Sequence, residues 1–198
     1  MPVLAVPENS QLLIIDPWHA NACRLGSDLK RQLAVQFKRI SSAADLALVP
    51  RYFAVSQGKS SGEMWLSTPC EKNKPRVFGF EHDRPVWSNK DLLNAMRKEG
   101  RDQLFICGFW LDDVVTAAAL EAQPIGFNTH VIVDLSPSLN VEKRQLSIDR
   151  LNQYCIVPMP LQNLLYEWTA KTDDHIRRKA LEAIWTEQQQ AGGSREII

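Results

Sequence analysis

Apolar residues along this chain fall into short unbroken runs, separated by stretches in which they recur every three or four positions. The run QLLIID at 11–16 is continuously apolar and ends in a carboxylate, as expected of a strand buried on both faces of a parallel sheet. Leu29, Leu33, Phe37, Ile40 and Ala44 then mark one face of an amphipathic helix, with Ser27 and Asp28 placed to cap it. Pro50 introduces a second strand, RYFAVSQ at 51–57, and VFGF at 77–80 predicts a short third one. Between these two strands, 58–76 is rich in Gly, Ser, Lys and Pro without a clear period and reads as a long loop of the kind that carries sites or partner contacts.

The alternation then repeats. A helix is predicted over 90–100 with Gly100 near its end, a strand over 103–107 ending at Gly108, and an Ala-rich helix over 111–122 stopped by Pro124. Strand HVIVDL at 130–135, a helix over 142–154 and a last short strand at 155–157 follow. Strands separated by helices of this length form right-handed crossover units. The expected fold is therefore α/β, a three-layer α/β/α sandwich around a six-stranded, mainly parallel sheet with Rossmann-like topology. Two more helices, over 161–168 and 174–190, and an AGGSREII terminus expected to fray complete the pattern. The reading is one domain over 1–198 with a C-terminal helical extension at about 171–198.

Composition narrows the function. Hydrophobic residues make up 44% of the 198 and charged residues 23%, and Lys plus Arg and Asp plus Glu are each 23, so formal charge is zero. No basic stretch is concentrated enough to track phosphates, so no nucleic acid partner is expected. Nor is a membrane partner, because no segment reaches the roughly 20 apolar residues of a span. A cytoplasmic location is the expectation. Cys23, Cys70, Cys107 and Cys155 form no CxxC pair, and His19, His82, His130 and His175 show no HxH or HExxH spacing. Neither a metal nor another cofactor is expected.

In open parallel sheets, sites form where strands end, and here the residues at those places resemble the isochorismatase-like hydrolase superfamily. LLIIDPWHA resembles its first motif, whose closing Asp acts as general acid or base; the carry-over falls on Asp16. LLNAMRKEGRDQLFICG at 92–108 resembles its helix, turn and strand leading into the catalytic loop. GFWLDDVVTAAALEAQPIGFNTHVIVDLS, from Gly108 to Ser136, resembles the loop G-x-x-T-D-x-C-V with its Ala-rich helix and next strand. The resemblance runs over roughly 10–170 and implies strand order 3-2-1-4-5-6, a cis peptide between Phe109 and Trp110, and self-association into a homo-oligomer.

The departures matter most. Val114 stands where the family has its nucleophilic cysteine, Leu111 replaces the Thr, and Glu81 falls at the catalytic lysine when Trp87 is aligned with the family's Phe. Valine has no nucleophilic atom, and Cys107, on a buried strand, reads as core. Cys70 lies in the long loop with no paired base. Asp112 and Asp113 read as first-turn acids favoured by a helix dipole. Trp18, His19, Trp87, Phe109, Trp110 and Leu111 are the expected pocket residues, with Trp65 nearby. Aromatics there either fill a former pocket or line one for a flat ligand.

Two functions follow from the resemblance. The chain is a degenerate member that acts by binding a small-molecule ligand or a partner, or it is a cysteine-independent hydrolase using Asp16 as acid and base, as in vinyl ether hydrolysis. A lysine supplied by Lys59 or Lys90 would favour the second.

Overall fold

The computed structural model describes residues 4–57, 63–65, 74–81 and 83–192, with side chains described through Thr186. Six strands form one sheet in the order β3-β2-β1-β4-β5-β6, every neighbouring pair parallel. They are β1 (Ser10–Ile15), β2 (Arg51–Gln57), β3 (Arg76–Glu81), β4 (Gln103–Gly108), β5 (Asn128–Ile132) and β6 (Val157–Met159). The predicted order and parallel pairing are met.

Strand β1 lies at the centre and is buried along its whole length, which is why its sequence does not alternate. Leu12 and Ile14 point to one helical layer and Leu13 and Ile15 to the other. Each such side chain contributes about 1.5–3 kcal/mol of burial. The first layer contains α2 (Ser27–Leu46), α6 (Leu161–Lys171) and α7 (His175–Gly192), with Phe37, Ile40, Leu164, Trp168 and Leu181 against the sheet. The second contains α3 (Lys90–Lys98), α4 (Thr116–Ala122) and α5 (Val141–Gln153), with Leu92, Met96, Ala118, Ala119, Ala122 and Leu151 inward. Small α4 side chains let that helix lie close to the strands.

The C-terminal helices are tied to α2 and to each other by polar groups as well as by packing. Buried Arg39 donates to the Ile184 carbonyl at 2.7 Å, and Gln162 donates to the Trp185 carbonyl at 3.1 Å. Arg51, also buried, pairs with Asp45 at 2.6 Å. Breaking a buried pair on one side costs about 3–5 kcal/mol, because it strands the other charge.

Several predicted boundaries shift for local reasons. Helix α2 is capped by Gly26, so Ser27 and Asp28 are its first residues and make no side-chain cap. Strand β5 stops at Ile132, and Val133–Leu135 form a 3-10 turn that frees the Asp134 carboxylate to accept the Leu161 amide at the start of α6. The last strand begins at Val157, because Cys155 has a positive φ of 58° and ends the α5 turn. The helix expected from residue 111 starts at Thr116, after a wide turn at Leu111–Val115 broken at Asp113. Most of the 58–76 loop lies outside the described residues, as does His82.

Candidate functional site

Strands β1, β2 and β4 end level with one another: Ile15 pairs with Ala54 on one side and with Gly108 on the other. Their carboxyl ends carry the site.

Asp16 leaves β1 with φ 47°, a left-handed conformation that Asp accepts more readily than most residues because its short side chain bonds locally. Its amide donates to the Ala54 carbonyl at 2.8 Å, and its side-chain Oδ1 accepts the Ser56 amide hydrogen at 2.6 Å. The carboxylate is thereby fixed, with the residue only 7% exposed. The Asp16 carbonyl accepts from the Trp18 amide at 2.6 Å and from Asn21 Nδ2 at 3.0 Å. That second bond holds a four-residue helix, α1 (His19–Ala22), over the strand end.

The opposite wall is the turn after β4. Gly108 has φ 123°, and a Cβ there would collide with the Ile15 carbonyl oxygen. The Phe109 amide donates to that same carbonyl at 3.0 Å, and the Phe109–Trp110 peptide is cis, as the resemblance implied. The Trp110 carbonyl then accepts from the amides of Asp113 and Val115, each at 3.1 Å. Asp112 does not face the site; it accepts from the Leu139 and Asn140 amides at 2.8 and 3.0 Å, docking that loop and bringing Leu139 to the rim.

Together these elements enclose a cleft of about 360 Å³. Asp16 and Ser56 line it from the strands, Phe109, Trp110, Asp113 and Val114 from the turn, and Ala20, Asn21 and Arg24 from α1 and the residues after it. The Arg24 guanidinium lies 5.3 Å from the Trp110 ring centroid, close enough for cation–π attraction. Among the described residues, the cleft thus holds two carboxylates, one guanidinium and two aromatic side chains. It offers acid, base and hydrogen-bonding groups and, among the described residues, no thiol.

Of the residues singled out from sequence, Asp16, Phe109, Trp110 and Val114 meet in this cleft. Asp113, read from sequence as a first-turn acid, lines it too; the other described candidates do not. Leu111 is fully buried, Trp87 donates to the Ala118 carbonyl at 2.8 Å inside the α4 layer, and Trp18 packs on the α2 layer beside Met64 and Trp65. His19 is exposed and turned toward Cys23. Glu81 is exposed at the end of β3 and pairs with Arg84 at 2.8 Å. Lys90 is exposed at the start of α3, and Lys59 lies outside the described residues. Ser56, Asn21 and Arg24 were missed. Ser56 ends an apolar strand run, a signal that could have found it; Arg24 follows a helix too short to show a period.

Cys107 is fully buried within the α2 layer, and burial, with Asp134 adding to it, pushes its thiol well above the usual range. Cys23 and Cys155 are exposed, and neither lines the cleft. Cys70 is outside the described residues. Among those described, no group of three His, Cys, Asp or Glu converges as a metal site, and no helix is long and apolar enough to cross a membrane.

The six-stranded parallel sheet between two helical layers matches the fold of the isochorismatase-like structures. Residues 69–163 of the chain match the model of the isochorismatase domain. The solved YcaC gene product of Escherichia coli, described as an octameric hydrolase of unknown specificity, superposes with a TM-score of 0.82 at 18% identity over 98% of this chain and 96% of that one. YcaC from Pseudomonas aeruginosa gives 0.79 at 17% identity over 98% and 99%. The MAR1 ribonuclease of Caenorhabditis elegans gives 0.72 at 16% identity over 92% of both. In sequence, the probable hydrolase YcaC of E. coli K12 is 36% identical over 68 residues, a match that spans 34% of this chain and 33% of that relative.

Proposed function

We propose that this protein binds a small polar molecule in the Asp16 cleft and does not perform the cysteine-dependent hydrolysis of its family. The observation that carries this reading is that Val114 lines the same cleft as Asp16. The position that the resemblance assigns to the nucleophile lies inside the site, and a valine holds it. No described cysteine is placed to substitute. Asp16 and Ser56 then orient the ligand, and Trp110 with Arg24 covers it. By analogy with the octameric E. coli protein, the chain acts as a homo-oligomer.

A second reading is favoured by Asp16 itself. A nearly buried carboxylate held by a backbone amide at the floor of a cleft is suited to moving a proton to or from a substrate without a covalent intermediate. Vinyl ether hydrolysis is chemistry of that kind.

The two readings separate in one experiment. Wild type, Asp16→Asn and Val114→Trp, which fills the cleft, are screened for thermal stabilisation by small amides, carboxylic acids and diols, and in parallel for turnover of amides and vinyl ethers. Stabilisation of wild type that Val114→Trp abolishes, with no turnover, is the expected result. Vinyl ether turnover lost in Asp16→Asn would establish the second reading. Amide turnover that blocking of the thiols abolishes would overturn the first.

A further inference from the structure

Outside the cleft, the strongest cluster of reactive side chains is formed by two helices meeting at the surface. The Cys23 sulfur lies 3.3 Å from His19 Nδ1, one turn earlier, and 3.5 Å from Lys30 Nζ on α2. Cys23 and His19 are exposed. The other described thiols differ: Cys107 is sealed in the core, and Cys155, although exposed, has no hydrogen bond to a histidine or lysine among the described residues.

We propose that Cys23, with His19 and Lys30, is a site of oxidation by hydroperoxides. Peroxide attack needs a base to take the thiol proton and an acid to neutralise the departing oxygen. The imidazole and the ammonium touch the same sulfur from different helices and supply both. The sulfur attacks one peroxide oxygen, an S–O bond forms and the O–O bond breaks. His19 Nδ1 takes the thiol proton, Lys30 gives a proton to the departing hydroxide, and the imidazolium returns one to Lys30. The sum is thiol plus hydrogen peroxide giving sulfenic acid plus water, with sulfur oxidised by two electrons and the peroxide reduced by two.

The placement gives the modification a consequence. Asn21 and Arg24, on either side of Cys23 in sequence, both line the cleft, and α1 is held by the Asn21 bond to the Asp16 carbonyl. An oxygen added to Cys23 enters its contacts with His19 and Lys30, which places the modification on the segment that lines the cleft.

The test treats the reduced protein with hydrogen peroxide, traps sulfenic acid with a dimedone reagent, and follows Cys23 and Cys155 by peptide mass spectrometry. With acid and base in place, Cys23 is expected to react about tenfold or more faster than Cys155. His19→Gln and Lys30→Gln should each slow Cys23 and leave Cys155 unchanged. Iodoacetamide is the control: iodide leaves without a proton, so Lys30→Gln should slow the peroxide reaction more than alkylation. Equal rates at Cys23 and Cys155, no effect of either variant, or equal slowing of both reagents by Lys30→Gln would overturn the proposal.

Discussion

Asp16 Oδ1 accepts the Ser56 amide hydrogen at 2.6 Å, so the carboxylate that floors the cleft also closes the end of the β1–β2 ladder. The one bond serves fold and site together, and two substitutions should separate these roles. Asp16→Ala removes a charge-assisted bond worth about 1.5–3 kcal/mol and leaves at φ 47° a residue without the short polar side chain that makes this conformation tolerable, costing roughly 1 kcal/mol more. A loss of about 2–4 kcal/mol in urea unfolding is expected. Asp16→Asn keeps an acceptor oxygen and tolerates the left-handed φ, so it should lose under about 1 kcal/mol while abolishing ligand stabilisation.

Gly108 is the second hinge of the site, because its φ of 123° and its contact with the Ile15 carbonyl leave no room for a side chain. Gly108→Ala should cost about 3 kcal/mol or more, from strain and overpacking together. It should also move Phe109 and Trp110, so a change in tryptophan fluorescence should accompany the lower melting temperature.

These two positions also show what the sequence made legible. Asp16 and Gly108 end continuous apolar runs, and the rule that sites lie beyond such runs finds both; the strand order came from the family resemblance. The same rule, extended to β2, reaches Ser56. What stayed hidden depends on where side chains turn. Trp87 and Leu111 have the composition of pocket residues, but their α/β context buries them in the α4 layer. Glu81 ends β3, two strands from β1, and its carboxylate turns to Arg84. Arg24 carries no periodic signal; its place depends on the Asn21 bond that folds α1 back over the sheet.

His130 gives a pH prediction. It is buried, stacked on Phe105 at 4.8 Å, and burial holds its pKa below the ordinary 6.5, outweighing the Asn128 carbonyl and Glu167, which act the other way. The folded state therefore prefers the neutral ring, and its advantage is present above the unfolded pKa. Below about pH 6.5 the unfolded chain binds a proton that the folded chain resists, and stability falls. His130→Phe keeps the ring stack and has no proton to bind. The difference in unfolding free energy between the two proteins should shift in favour of the variant as pH drops from 7 to 5; a pH-independent difference would exclude His130 as the cause.

Val114→Cys tests whether the cleft retains the setting for a nucleophile. The introduced thiol would line a cleft open to reagent, so iodoacetamide should label it about tenfold or more faster than Cys107, which is sealed from solvent and should react only on unfolding. Its immediate charges are Asp16, Asp113 and Arg24. The two carboxylates oppose thiolate formation and the guanidinium favours it, so Asp113→Asn should quicken labelling and Arg24→Gln should slow it. Glu81→Lys should change little. The exchange would place a lysine where the resemblance puts one, but Glu81 lies outside the cleft, in an exposed pair with Arg84, where solvent screens its charge. Amide turnover should stay absent in Val114→Cys alone and with Glu81→Lys, since a reactive thiol without a positioned substrate leaves most of the barrier in place. If Glu81→Lys instead accelerated labelling several-fold, position 81 would have to approach Val114 in solution, and the end of β3 would belong to the site after all.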